Sequence, residues 1–167
     1  VITAAEAAAE PIASASAFDP NGNFLFTALE GSREIAVSDV WAKQEILRFD
    51  AGRAPQGLTL SPDGRTLYVQ NFMDRTVTIH DVSALANGAT VAPPAPVTLN
   101  CVTTEKLSST VLIGKQFFYD TRDNRVAFQQ YISCASCHND GGQDGRTWDF
   151  TQFGEGLRES GLQGEAQ

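Results

Sequence analysis

The chain has 167 residues, room for one or two small domains. Its 12 Lys and Arg against 20 Asp and Glu leave a net charge of −8, which argues against nucleic-acid binding through a basic surface. Hydrophobic residues at 42% and charged residues at 19% are those of a folded chain, and no apolar run approaches the ~18 residues of a membrane helix.

Val1 is followed by no basic and apolar leader pattern, so the chain reads as a mature product or a piece of something longer. Residues 1–11 are rich in Ala and Glu and read as a frayed terminus, with a short helix ended by Pro11 as the alternative.

Next comes a repeat. Phe18-Asp19-Pro20-Asn21-Gly22 recurs as Leu60-Ser61-Pro62-Asp63-Gly64, 42 residues further on. Pro presets φ and Gly tolerates positive φ, so both copies are turns. Each leads into a β-rich run, Asn23 to Ala28 and Arg65 to Gln70, then into a polar turn and an alternating strand, Glu34 to Val40 and Thr76 to Val82. Glu45 to Phe49 is a third strand of the first unit. Alternation puts Val77 and Ile79 on one face and Thr76, Thr78 and His80 on the other, with His80 expected at the strand surface.

Multi-stranded units repeating every ~40–45 residues have the spacing of propeller blades. Leu67-Tyr68-Val69-Gln70-Asn71 resembles the Tyr-Val-Thr-Asn type of β-propeller repeat, with Gln70 in place of Thr, and the resemblance covers residues 12–90. Propellers close with about 4–8 blades and this chain carries two. The uncovered faces then imply the missing remainder of a longer chain or an oligomeric partner. A small sandwich-like pair of sheets is the alternative.

Ala89 to Asn100 holds Pro93, Pro94 and Pro96 and reads as a semi-rigid spacer, with Val97 to Leu99 available as a last strand. The expected boundary lies near residue 100, giving blade-like repeats over 12–100 and a second, incomplete domain over 101–167. Glu105 to Phe118 places Leu107, Val111, Gly114 and Phe118 near helical spacing, capped by Thr103 or Thr104.

Cys134-Ala135-Ser136-Cys137-His138 has the c-type haem attachment pattern. Two thiols three positions apart on one helical turn reach the two vinyl groups of a haem, and the next residue offers its imidazole to the iron. Cys134 and Cys137 would form thioethers and His138 would be the proximal ligand. The helix over 105–118 would cover a haem face or serve as an ordinary core helix. A thioredoxin-like pair would need a βαβ context, which is absent. A zinc site would recruit Cys101 and His138, but Cys101 has no paired spacing.

Gly114-Lys115-Gln116-Phe117-Phe118-Tyr119-Asp120, the run from Tyr131 to His138, and Asp144-Gly145-Arg146-Thr147-Trp148 together resemble the bacterial di-haem cytochrome c peroxidase family, including its methylamine-utilisation type. The resemblance covers residues 104–164. It implies a helical cytochrome c-like domain, one covalent haem c, periplasmic or otherwise exported location, a redox partner protein, and peroxide reduction in complete members. The chain departs from the family in having one CxxCH where the family has two. In the resemblance Trp148 belongs beside the haem, where packing on the porphyrin or electron transfer would be its role. Arg146 and Arg158 would pair with haem propionates.

The only other His is His80 and the only Met is Met73, expected respectively at a strand surface and in a blade turn, so no sixth iron ligand is evident. Residues 139–145 faintly resemble a calcium loop but lack its Glu and read as a Gly-rich turn. Cys101 is expected to be a small buried thiol. The fold class so read is mixed: about two antiparallel β-propeller-like blades followed by a small α-helical cytochrome c-like domain. The function so read is peroxidase-type haem electron transfer, with a mono-haem carrier and a propeller-based binding module as alternatives.

Overall fold

A computed structural model describes residues 13–127, 130, 133–138 and 141–142. Eight strands form two sheets. The first joins β1 (Ala13–Phe18), β2 (Phe24–Leu29), β3 (Glu34–Asp39) and β4 (Gln44–Asp50) in sequential order. The second joins β5 (Pro55–Leu60), β6 (Thr66–Asn71), β7 (Thr76–Asp81) and β8 (Val97–Asn100) in the same way. Every pairing is antiparallel.

The 42-residue repeat reaches the backbone. Gly22 and Gly64 sit at φ +72° and +70° in the two Pro-containing turns. Arg33 and Arg75 hold φ +60° and +55° in the β2–β3 and β6–β7 turns, a left-handed conformation that non-glycine residues adopt sparingly. In the first turn Asp19 Oδ1 accepts from Phe24 N at 2.7 Å, and in the second Ser61 Oγ accepts from Thr66 N at 3.0 Å.

The core lies between the sheets. Phe26, Ala28, Ile35, Val37 and Phe49 of the first pack against Leu67 and Val69 of the second. Val82 and Leu85, at the short helix α1 (Ser83–Ala86), close one end. β7 alternates as its sequence demands, but its buried face is the polar one. Thr76, Thr78 and His80 are interior, and Val77 and Ile79 are half-exposed. The inward residues satisfy one another: Asn71 Nδ2 donates to Thr76 Oγ1 at 3.3 Å and to Thr78 Oγ1 at 3.1 Å, and His80 Nε2 lies 3.0 Å from Thr78 Oγ1.

The expectation of a small α-helical cytochrome c-like domain after the blades is corrected. The described residues contain two four-stranded antiparallel sheets, three short helices and no closed barrel. Beyond β8 they hold α2 (Ser109–Tyr119) and the single turn α3 (Cys134–Cys137). The physical reason is that α2 does not nucleate a separate core. None of its residues is fully buried, and it is fastened to the turns of the sheets. Its start is also later than expected, because Ser108, not Thr103 or Thr104, is the N-cap and accepts from Val111 N.

Polar contacts make that attachment. Asp120 pairs with Arg33, and Thr121 N donates to Gly31 O at 3.1 Å. Arg122 donates to the carbonyls of Ser32 and Arg33 at 2.6 and 3.2 Å and pairs with Asp50 at 2.5 Å. Gln116 Nε2 donates to Met73 O, and Tyr119 meets Phe72 edge-on at 6.2 Å. Before α2, Arg75 pairs with Glu105 at 2.5 Å.

Candidate functional site

The CxxCH segment forms one helical turn for local reasons. Ser136, inside the motif, folds back so that its Oγ accepts from Ser133 N at 3.1 Å. At the other end His138 N donates to Cys134 O at 2.9 Å. Ala135 points inward and is buried, Cys134 is exposed and Cys137 is partly exposed. No described cysteine is in a disulfide.

His138 is exposed at the C-terminal end of this turn. The chain then reverses through Gly141, at φ +78°, whose N–H donates to His138 O at 3.0 Å. That reversal brings Gly142 O to 2.8 Å from His138 Nδ1. A carbonyl oxygen only accepts, so Nδ1 carries the proton and the Nε2 lone pair is left for a metal. A backbone carbonyl on the far nitrogen is the usual way a ligating imidazole is oriented. The donor set therefore suits a covalently held haem: two accessible thiols one turn apart and an adjacent imidazole in the ligating tautomer.

α2 packs beside α3. Val111 and Ile113 are exposed, and a Cβ built on Gly114 would meet open space, so this helix presents apolar surface next to the motif without covering it. Trp148, Arg146 and Arg158 lie outside the described residues, as do Phe128, Tyr131 and Ile132 and most of the loop over 139–145.

Other sequence expectations change. His80 is not at a strand surface: it is 1% exposed. Burial alone pushes its imidazole below the ordinary value. Met73 is buried as well. Both residues are thus interior to the sheets. Cys101 is exposed at the end of β8, not buried. No three His, Cys, Asp or Glu side chains gather around a metal position among the described residues, so Cys101 is not brought to Cys134, Cys137 and His138. No described helix is long and apolar enough to cross a membrane.

An open cavity of about 420 Å³ beside α2 is lined by Arg33, Arg53, Arg122 and Arg125. Each of these guanidinium groups already has a carboxylate: Asp120, Asp74, Asp50 and Asp123 respectively. The Arg125 hydrogen bond draws the exposed Asp123 carboxyl down to about 2. This cluster is the clamp that holds the 116–125 segment to the sheets. No local pattern around Arg122 or Asp120 announces it, because every partner is far away in the chain.

No family model matches the chain, and no curated protein matches it. Among solved structures it is similar to hydrazine synthase of Kuenenia stuttgartiensis, at 22% identity over 44% of this chain and 21% of that one, with a TM-score of 0.43. It is similar to the β-propeller domain of Cps50 (Swd1) of Myceliophteria thermophila, at 18% identity over 53% and 29%, with a TM-score of 0.47. It is similar also to the dihydro-heme d1 dehydrogenase NirN in complex with DHE, at 17% identity over 53% and 18%, with a TM-score of 0.43. The chain spans less than a third of the length of each of these three.

Proposed function

We propose that the chain carries one haem c, attached through Cys134 and Cys137 and ligated by His138 Nε2, and that it serves electron transfer. The observation that carries this reading is the hydrogen bond from His138 Nδ1 to Gly142 O at 2.8 Å, within an intact CxxCH turn. Bound there, a haem c supplies one-electron chemistry at its iron. The chain's own residues do the rest. Ser136 shapes the turn that spaces the thiols, and Gly141 permits the reversal that sets the tautomer of His138.

His80 and Met73 are interior to the sheets, and the sequence has no further His or Met. The second axial position is therefore left to a small ligand or to another chain. That favours peroxide reduction, the activity of the resembled family, over a self-contained six-coordinate carrier. With a single CxxCH, the second redox centre for peroxide reduction comes from a redox partner protein. Thioether formation places maturation in the periplasm or another exported compartment.

The test is a pyridine haemochrome assay on protein matured in a periplasmic host. The expected result is one covalent haem per chain, lost in the Cys134→Ala/Cys137→Ala double variant, with a high-spin spectrum. Absence of covalent haem from the matured wild type overturns the reading.

A further inference from the structure

The contact between the two sheets is head-to-tail. The first sheet docks through the cross-strand rows Ala17–Phe26–Val37–Leu47 and Ala15–Ala28–Ile35–Phe49. The second receives it on the rows Leu58–Val69–Thr78 and Leu60–Leu67–His80. These two faces are not equivalent under the 42-residue repeat. Moving the docking face of the first sheet by one repeat lands on the outer face of the second, at the rows Thr59–Tyr68–Ile79–Val97 and Gly57–Gln70–Val77–Leu99.

That outer face is apolar and bare. Tyr68 is 38% exposed, Val97 62% and Leu99 50%, with Val77 and Ile79 half-exposed between them. Leu99 stands where Phe49 stands in the first sheet, and Ile79 where Val37 stands. The converse holds at the other end. The receiving face of the second sheet maps back onto the outer face of the first, at the row Phe18–Leu25–Ser38. Phe18, the counterpart of the packed Leu60, is 59% exposed. The molecule thus carries an unused copy of each half of its own core interface.

We propose that the outer face of the second sheet binds the outer face of the first sheet of another copy of this chain, repeating between molecules the step that relates the two sheets within one. The contact is heterologous, so each copy offers one donor face and one acceptor face, and association continues until the stack closes or grows into a filament. Leu99 then meets the neighbour's Ser38, as Phe49 meets His80 within the chain.

The test is sedimentation of the full chain over a wide concentration range. Wild type should exceed monomer mass as concentration rises. Val97→Lys/Leu99→Lys should raise the dissociation constant about 100-fold, for two apolar side chains no longer buried. Phe18→Lys should do the same from the other face. All three residues are exposed, so the fold is retained, as circular dichroism would verify, and Val91→Lys in the spacer should change nothing. The decisive experiment mixes the two monomeric variants. Each keeps one good face, so head-to-tail contact predicts a 1:1 complex that grows no further. A wild type that stays monomeric, assembly that survives Val97→Lys/Leu99→Lys, or a mixture with no 1:1 complex overturns the proposal.

Discussion

Phe49 and His80 meet across the two sheets, their ring centroids 5.2 Å apart and their planes inclined by 50°. His80 spends Nε2 on Thr78, and its Nδ1 has no hydrogen-bond partner among the described residues. The imidazole is therefore held neutral, because a proton would add a charge facing an aromatic ring and a hydroxyl. Its folded-state pKa lies below the ordinary ~6.5 of the unfolded chain. The stability it contributes is complete above that unfolded value and is lost as pH falls toward the folded one. Thermal unfolding of wild type should show a Tm that drops as pH is lowered below about 6.5, and His80→Gln should flatten that drop. An equal slope in the variant would remove His80 as its source.

Gly31 and Thr121 are packed too closely for a side chain between them. A Cβ on Gly31 would fall 2.6 Å from Thr121 Cγ2 and 3.4 Å from its Oγ1. Gly31→Ala should destabilise by about 1–3 kcal/mol through overpacking. Thr121→Ser removes the offending methyl, so the double variant should recover most of the loss. Denaturant titration of the four members of this cycle measures the coupling, and additive effects would contradict it.

Asp120 is nearly buried and accepts two hydrogen bonds from Arg33. Asp120→Ala leaves the Arg33 guanidinium without its carboxylate and loosens the 116–125 segment, at a cost of about 2 kcal/mol. Because the sheets have their own core, the first sign should be faster tryptic cleavage at Arg122 and Arg125 with strand content unchanged by circular dichroism. Cleavage at the wild-type rate would show that this segment is held by its other contacts.

Gly141 holds the positive φ that lets Gly142 O reach His138. Gly141→Val should strain this reversal and weaken the hydrogen bond. An imidazole that donates less strongly at Nδ1 is a poorer electron donor at Nε2, so the midpoint potential of the haem protein should rise. Cys134 and Cys137 are untouched, so covalent haem content should stay near wild type. An unchanged potential in a fully loaded variant would remove the Gly142 carbonyl from the tuning of this site.

Much of the secondary structure is present in local pattern. The Pro-containing turns at 20 and 62, the strand starts at Glu34 and Thr76, and a final strand at Val97 all follow from residue type and alternation. The CxxCH turn is local as well, since Ser133, Ser136 and Gly141 supply its bonds within a few residues. The tautomer of His138 was not readable, because it depends on where the chain turns after the motif.

The sequence by itself determined the period of each strand, the repeat of 42 residues and the spacing of Cys134, Cys137 and His138, since these are set by neighbours along the chain. Tertiary structure alone decided which face of β7 turns inward. The polar side of β7 is buried because the first sheet covers it with Phe49, and Asn71 and Thr78 satisfy it in place of water. Tertiary structure also decided that α2 becomes a strap on the sheets instead of the core of a helical domain. Its anchors, Arg33 to Asp120 and Asp50 to Arg122, join residues 87 and 72 positions apart. No local pattern encodes such pairs, because their energy exists only once the chain has brought them together.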